Sequence, residues 1–496
     1  MFAGLSTPAH ACTAIYAGSE LTETGDTVFG RIEDFSSDYP KLFDVYPAGT
    51  HLAGESYEGC YGFSWTFTHD SYSYTGFCED NSQGVCPDCD GTHEHTPYQS
   101  GGTNECGLSV TATETLYENE SVTSVDPFIG TGIEEAEITT VLLSEASTAR
   151  EAMTLLTEIF ASAGACSGGS VIVADRNETW YIENLSGTQY IAVELPSNMV
   201  MICPNVSVIG SVDLDDTDHV VASDALIETA IQAGSFVGDQ EANVIDFAAS
   251  YDSNGSYSTG SRLAAGLNYL SGSDSFRVDE NGQGIERSAY TMTNLDAEGN
   301  ITELHNSIRT QGPLDLRDVI GYFRTSPIGK PANAETHIFL ISTADDTAVG
   351  TVEWISMANC RYNVFVPFYP MLTTEVHPSL NTGHMFPEHV QEEPAERTYF
   401  PSLSEAGFVI YPEGWEESFY WIFAALNHIV TEDENAAAEI TEYRERTQEM
   451  VFTEWERVQE EVLHAGDHAS EIATQGSIAI TEQVCQNMSL LLERFR

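Results

Sequence analysis

Cys12 is the first residue with a distinct chemical role, because the sequence directly before it has the form of a cleavage site. The segment Ala9-His10-Ala11 follows the small-x-small pattern after which signal peptidase cuts. Residues 1–11 lack the basic region and the full apolar stretch of a complete secretory signal. They are therefore interpreted either as the remnant of a longer leader, whose removal makes Cys12 the first residue, or as an ordinary short tail.

A cysteine at a new N-terminus carries a thiol and a free α-amino group on one residue. The amine, with a pKa of about 8, can take the thiol proton directly or through one water molecule. Nucleophile and general base would then come from Cys12 alone. The alternative is a structural cysteine buried in an apolar strand, and the residue type by itself does not decide between the two.

A second concentration of reactive side chains lies further along the chain. Five of the ten cysteines fall within one segment: Cys60, Cys78, Cys86, Cys89 and Cys106. The pair Cys86 and Cys89, followed by His93 and His95, could form half of a zinc site, with Cys78 and Cys106 as widely spaced further ligands. In an exported protein a disulfide-stapled loop is favoured, so we expect at least one disulfide among Cys78, Cys86, Cys89 and Cys106, and no zinc.

The pattern of apolar residues predicts an α+β chain. Alternation predicts strands at 12–17, 27–31, 171–173, 180–182, 190–195, 200–203, 337–341, 351–355 and 364–366, and a half-buried strand at 108–113. A helix is predicted to start near Thr148, where Glu151 completes a capping box. Residues 219–250 also have a helical pattern, and a long amphipathic helix is predicted from about Asp433 onwards.

The charge balance excludes several classes of partner. The chain of 496 residues has 77 acidic and 18 basic side chains, a net charge of −59, and only two lysines, Lys41 and Lys330. Such a field repels nucleic acid and anionic lipid, and no stretch is apolar enough to span a membrane. Because 42% of the residues are hydrophobic, the acidity indicates a highly solvated surface, as in a salty or extracellular setting, rather than disorder.

Several separated motifs resemble the cysteine dipeptidase family of N-terminal nucleophile hydrolases, which is related to penicillin V acylases and bile salt hydrolases. The resemblance begins at 11–18 and continues through Gly30-Arg31-Ile32-Glu33-Asp34 and 102–116. It extends through 147–160, 174–183, 204–205, 261–262 and 335–339 to about residue 370. The last hundred or so residues are not covered in the same way.

The resemblance implies roles for three residues near the N-terminus. Cys12 matches the nucleophile, and Arg31 and Asp34 match the arginine–aspartate pair that holds the amine and the thiol. A carboxylate can fix the N-terminal amine through a charge-assisted hydrogen bond, and a nearby cation favours the thiolate. The alternative for Arg31 is an ordinary structural ion pair.

Three further residues are matched to the floor and the oxyanion region of the site. Asn104, followed by Glu105, matches the oxyanion region, where a side-chain amide and a backbone N–H stabilise the tetrahedral intermediate. Asn205 matches the second asparagine of that hole, and Arg262 matches a further arginine at the floor. The alternative for each asparagine is a turn or a strand cap.

The resemblance implies a four-layer αββα sandwich and a dipeptidase that acts through a thioester on Cys12, with no cofactor and no metal. We expect a leader remnant at 1–11, a hydrolase domain at 12–430 with a Cys-rich insertion at about 78–106, and a helical extension at 431–496. Expected partners are small peptides, with self-association left open, and the chain is expected to be exported. The alternatives are an N-acyl amide hydrolase with the same residues, or a non-catalytic calcium-binding protein that uses Asp213, Asp215, Asp216 and Asp218.

Overall fold

Two six-stranded antiparallel sheets form the centre of the computed structural model, which describes residues 12–35, 40–59, 62–80, 98–114, 116–253, 257–345, 347–384 and 411–495. In spatial order, sheet 1 contains β12 (Val200–Cys203), β1 (Thr13–Ala17), β2 (Asp26–Asp34), β19 (Asn333–Ser342), β20 (Thr351–Met357) and β21 (Val366–Phe368). Sheet 2 contains β14 (Val220–Ala222), β11 (Tyr190–Glu194), β10 (Thr179–Asn184), β9 (Gly169–Ala174), β8 (Ser109–Glu114) and β7 (Gly101–Thr103).

The two sheets pack face to face, and side chains between them join the layers. His337 on β19 reaches across to Thr111 on β8, with 2.8 Å between Nε2 and Oγ1. Gly101 on β7 permits this approach, because a Cβ atom there would lie 2.8 Å from the His337 ring. Ala14 on β1 lies opposite Arg31 on β2, which places the start of β1 beside the end of β2 in the middle of sheet 1.

Helices cover the outer face of each sheet and complete the predicted four-layer αββα arrangement. Helices α2 (Glu135–Glu145) and α3 (Ala149–Ser162) pack on sheet 2. On sheet 1 lie α6 (Tyr257–Ser271), α9 (Phe419–Glu432) and α11 (Ala469–Leu492), and α7 (Leu316–Arg324) packs on α6. The remaining helices are α1 (Glu120–Thr123), α4 (Leu226–Ala233), α5 (Phe247–Tyr251), α8 (Pro378–Asn381) and α10 (Ala436–Leu463).

Four smaller sheets accompany the two central sheets in the described residues. They pair β3 (Lys41–Tyr46) with β6 (Tyr74–Glu79), β4 (Ser56–Glu58) with β5 (Ser64–Thr66), and β17 (Thr293–Leu295) with β18 (Ile301–His305). A three-stranded sheet contains β13 (Ser211–Asp213), β16 (Val244–Asp246) and β15 (Gly238–Asp239).

Most predicted strands are confirmed, but two local predictions are wrong. The strand at 108–113 was expected to be half-buried; Ser109 to Thr113 are buried on both faces, because sheet 1 covers one face and α2 the other. The region 219–250 is not one helical stretch but alternates β14, α4, β15, β16 and α5. The helix predicted near Thr148 is confirmed, and the Thr148 side chain accepts a hydrogen bond from the Glu151 N–H.

The long C-terminal helix is also confirmed, as α10, and its buried face contains Ile440, Val451, Trp455, Val458 and Val462. Trp455 packs edge-to-face against Trp354 of sheet 1, with ring centroids 6.2 Å apart. One hydrophobic cluster therefore includes residues of sheet 1, α10 and α11. The domain boundary near residue 430 stays a prediction. Among the described residues, no helix has the length and apolar character needed to cross a membrane.

The structure leaves two of the four expected disulfide partners as free thiols. Cys78 is buried on β6 and Cys106 is exposed in the loop after β7. Cys86, Cys89, His93 and His95 lie outside the described residues. Cys86 with Cys89 is therefore the one pairing of the predicted group that remains to be tested.

Candidate active site

Cys12 lies immediately before β1, at the centre of sheet 1, and is 5% exposed. Its thiol is met by Arg31, whose Nη1 lies 3.1 Å from Sγ. Burial raises the pKa of the Cys12 thiol to about 12. Arg31 and a hydrogen bond with Thr113 oppose this increase, whereas Glu135 and Glu33 add to it. In the printed chain Cys12 follows Ala11 in amide linkage, so its nitrogen carries no charge and cannot act as a base. This thiol is therefore protonated at neutral pH while residues 1–11 are attached.

Arg31 is surrounded by three carboxylates. Glu135 Oε1 lies 2.8 Å from Nη1, while Glu33 Oε2 and Glu335 Oε1 lie 3.3 Å and 3.4 Å from Nη2. Nη2 also donates to the Ser100 carbonyl oxygen at 3.3 Å. Because Arg31 is only 1% exposed, these contacts compensate its buried charge and hold the guanidinium against the thiol.

A second cluster binds the backbone of Cys12 rather than its thiol. Arg262 on α6 donates from Nη1 to the Cys12 carbonyl oxygen and, at 2.7 Å, to Thr13 Oγ1. Its Nη2 donates at 2.8 Å to Oδ1 of Asn205, a residue in the left-handed region with φ of 64°. Asp34 Oδ2 lies 3.9 Å from Arg262 Nη1. The structure thus joins Asp34, Asn205 and Arg262 directly beside Cys12.

Asp34 is the acidic member of this second cluster. Its Oδ2 lies 2.7 Å from Lys330 Nζ, and its Oδ1 accepts a hydrogen bond from Asn333 Nδ2. Burial raises the pKa of the Asp34 carboxyl, although Lys330 and Arg262 oppose this effect. A buried carboxylate at this position can hold a further cation that appears beside Cys12.

Among the described residues, the contacts of Asn104 do not connect it to Cys12, Arg31, Asp34, Asn205 or Arg262. Its Nδ2 donates to the carbonyl oxygens of Leu143 and Ala146, at 3.0 Å and 2.7 Å, and its Oδ1 accepts from the N–H groups of Cys106 and Leu108. Its own N–H donates to Leu108, and the Glu105 N–H donates to Ser73. These bonds use both amide donors and two acceptor positions. Asn104 thus shapes the turn after β7, and the geometry does not support an oxyanion role for it.

Sequence reasoning missed the acidic residues around Arg31 and both lysines. Lys41 Nζ lies 2.8 Å from Glu33 Oε1, so the two lysines of the chain pair with the last two residues of β2, Glu33 and Asp34. Lysine is rare in this chain of 77 acidic residues, and that rarity could have identified Lys41 and Lys330 as candidate site residues. Glu135 had no such signal, since only the position of α2 brings it to Arg31.

Glu335 extends the cluster to a buried histidine. Its Oε2 lies 3.0 Å from His337 Nδ1, and the other ring nitrogen contacts Thr111. Although burial alone raises it, the pKa of Glu335 is held below its usual range by His337, Arg31 and Lys41. Glu335 is therefore an anion, suited to balance the charge of Arg31 between the sheets.

Glu353 on β20 provides a test of these buried electrostatics. Its Oε2 accepts a 2.7 Å hydrogen bond from Thr75, and burial, reinforced by Glu335, raises its pKa to about 8. In the unfolded chain Glu353 loses this proton near pH 4.3. Its contribution to the free energy of unfolding therefore falls by about 1.4 kcal/mol for each pH unit between there and about pH 8. We expect Glu353→Gln to raise the thermal unfolding midpoint at pH 8 and to match the wild type near pH 4. An equal loss of stability at every pH would contradict this assignment.

In the acidic loop that the calcium hypothesis uses, side-chain oxygens of Asp213, Asp215 and Asp216 form hydrogen bonds within the protein. Asp213 Oδ1 accepts from the Asp215 N–H, Asp215 Oδ1 accepts from Asn243, and Asp216 Oδ1 lies 2.9 Å from His219. Within the described ranges, no group of three or more His, Cys, Asp or Glu side chains is placed to hold a metal ion. The calcium hypothesis gains no support from these contacts.

Comparison with known proteins shows similarity to peptidases. The model of Peptidase family C69 matches residues 11–269, just over half of the chain. "Probable dipeptidase B" of Streptococcus pyogenes serotype M1 is 29% identical over 377 residues, 73% of each chain. "Probable dipeptidase" of Salmonella dublin is 26% identical over 374 residues, covering 72% of this chain and 81% of the relative.

Among solved structures, penicillin V acylase from Agrobacterium tumefaciens aligns with 72% of this chain and 85% of its own, at 13% identity and a TM-score of 0.30. The family match begins at Ala11, directly before Cys12, and spans β1, β2, Asn205 and Arg262. The chain belongs to peptidase family C69.

Proposed function

We propose that this peptidase is a cysteine-dependent dipeptidase whose nucleophile is Cys12, exposed by removal of residues 1–11. The observation that carries the proposal is the convergence of two arginines on this residue. Arg31 contacts its thiol and Arg262 its carbonyl oxygen. The family match and the relatives named as probable dipeptidases support the substrate class.

In this mechanism the released α-amine of Cys12 is the base. It takes the thiol proton, directly or through one water molecule, and becomes an ammonium. Asp34 holds that ammonium through a charge-assisted hydrogen bond, and Arg31 stabilises the thiolate. Lys330 and Arg262, which already pair with Asp34, favour its ionised form against the effect of burial.

The thiolate then attacks the peptide carbonyl carbon and forms a tetrahedral intermediate. When the C–N bond breaks, the Cys12 ammonium gives its proton to the leaving amine, and a thioester remains. Water attacks the thioester while the Cys12 amine takes one water proton. The C–S bond then breaks, the acid leaves, and the Cys12 ammonium returns its proton to the thiolate to restore the free enzyme. Asn205 would stabilise the oxyanion through its Nδ2 group; the hydrogen bond that its Oδ1 accepts from Arg262 supports this orientation of the amide.

A pocket beside the thiol favours a substrate with a free amine. Thr113 and Glu135, which both influence the Cys12 thiol, line this small cavity of about 10 Å³ together with Glu134, Ser170 and Phe160. The carboxyl groups of Glu134 and Glu135 suit the α-ammonium group of a peptide, and a cavity with space for about one water-sized group matches an ammonium. An N-acyl substrate has no ammonium group to offer these carboxyl groups, so it would lose this ion pairing in a buried site.

We therefore expect the enzyme to discriminate between a dipeptide and its N-acetyl derivative. Acetylation removes the ammonium charge while leaving the scissile bond intact, so kcat/KM should fall by about 100-fold, the cost of about 3 kcal/mol of lost ion pairing. The measurement is initial rates on matched pairs such as Ala-Ala and N-acetyl-Ala-Ala, beside penicillin V and taurocholate. Equal rates on both peptides, or faster cleavage of the N-acyl amides, would favour the acylase alternative and contradict the dipeptide assignment.

A further inference from the structure

Three arginines outside the candidate active site line a pocket between the body of the enzyme and its C-terminal helices. Arg324 ends α7, Arg361 lies in the loop after β20, and Arg444 lies on α10. Together with Tyr362 they line a pocket of about 490 Å³, here called the arginine pocket. Only 18 basic residues balance 77 acidic ones in this chain, so the grouping of three of them in one pocket requires an explanation.

The arginine pocket has a partial excess of positive charge, since its lining combines three arginines with Glu442 and Glu445. Arg324 donates only to neutral acceptors: the carbonyl oxygens of Cys360 and Asn363, and the Gln448 side chain at 3.3 Å. Over the described ranges, no carboxylate oxygen lies within 4.0 Å of the guanidinium of Arg324 or Arg361. Two guanidinium groups therefore line the pocket without an acidic partner from the described part of the chain.

Arg444 adds an unsatisfied donor to the same pocket. It is 8% exposed, and its Nε is buried without a hydrogen-bond partner in the described parts of the chain. Its one acidic contact is Glu445 at 3.5 Å, whose side chain is 65% exposed to water. Burial and the neighbouring Arg444 lower the pKa of Arg324 to about 9, and burial lowers the pKa of Arg444. Buried like charges of this kind cost free energy unless an anion joins them.

We propose that the arginine pocket binds a small tetrahedral oxyanion, phosphate or sulfate. Guanidinium groups present paired N–H donors that match two oxygens of such an anion, and the Arg444 Nε would gain the partner that it lacks. The carboxylates of Glu442 and Glu445 at the rim disfavour an extended polyanion, as does the net charge of −59. The anion would connect α7 to α10 and so stabilise the docking of the C-terminal helices.

The test compares the thermal unfolding of the full chain in phosphate, in sulfate and in chloride at matched ionic strength. We expect a saturable rise of the unfolding midpoint at millimolar phosphate or sulfate, because a ligand that binds only the folded state stabilises it according to its concentration. Chloride should produce no such saturation. Titration calorimetry with inorganic phosphate should show one site per chain. If only one of the two anions raises the unfolding midpoint, that anion is the one that the pocket prefers.

Two variants make the test specific to the pocket. Arg361→Gln should abolish the saturable rise, while its midpoint without phosphate should equal or exceed that of the wild type because the repulsion is relieved. Arg446→Gln is the matched control, because Arg446 is exposed and its one ion pair among the described residues is with Glu442 at 4.0 Å. General salting-out acts on all three proteins alike. A phosphate response in Arg361→Gln equal to that of the wild type, or equal effects of phosphate and chloride on the wild type, would overturn the proposal.

Discussion

Replacing Cys12 with alanine should abolish peptide hydrolysis, with a loss of about 10⁴-fold or more, the scale expected when a covalent nucleophile is removed. The alanine methyl group can form no thioester, whereas serine in the same place should retain a trace of activity, since a hydroxyl is a far weaker nucleophile. Turnover of a dipeptide, measured beside the thermal unfolding midpoint, checks this. The fold should persist, because the substitution removes one sulfur atom from the end of a strand held on both sides by β2 and β12.

The matched control for this prediction is Cys106→Ala. Cys106 is an exposed free thiol in the loop after β7, so its removal should leave the rate unchanged. Iodoacetamide should inactivate the wild type by alkylating Cys12, and peptide mapping by mass spectrometry identifies the labelled position. Near-normal activity in Cys12→Ala, or inactivation that follows Cys106 alone, would remove Cys12 from the mechanism.

A chain that retains residues 1–11 should be inactive, whereas a chain that starts at Cys12 should be fully active. With Ala11 attached, the Cys12 thiol has a pKa of about 12 and no adjacent amine to accept its proton. Cleavage adds a base and a positive charge at the same residue, and both favour the thiolate. Each unit by which the thiol pKa falls gives about tenfold more thiolate at neutral pH. Alkylation by iodoacetamide should therefore be at least about tenfold faster after cleavage.

The measurement uses two forms of the same protein. One starts at Cys12, and the other carries Ala9→Arg and Ala11→Arg, which remove the small residues that the cleavage pattern requires. Intact mass and N-terminal sequencing establish where each form begins, and the same analysis of protein from its native host tests the proposed processing and export. Active protein that still begins upstream of Cys12 would exclude the α-amine as the base.

The strands and the first long helix could be predicted because their signals are local. Alternation with a period of two identifies the strand after Cys12, and Thr148 with Glu151 marks the start of α3, since both signals depend only on residues close together in the sequence. The same reasoning failed at 219–250, where a helical spacing of apolar residues arises from short strands and helices in succession. It failed again for β8, whose polar Thr111 is buried because His337 from the opposite sheet meets it.

Within the site, the sequence by itself predicted the proposed nucleophile and two residues beside it: Cys12 behind a cleavage pattern, and Arg31 and Asp34 three positions apart on one strand. Only the tertiary structure decided what surrounds them. Glu135 and Glu335 reach Arg31 from 104 and 304 positions away, while Asn104 is held in a turn by α2. Spacing along a strand determines which side chains share a face, but a buried charge takes its partner from whichever element packs across it. The sequence therefore predicts the reacting atom, and the packing of two sheets determines its electrostatics.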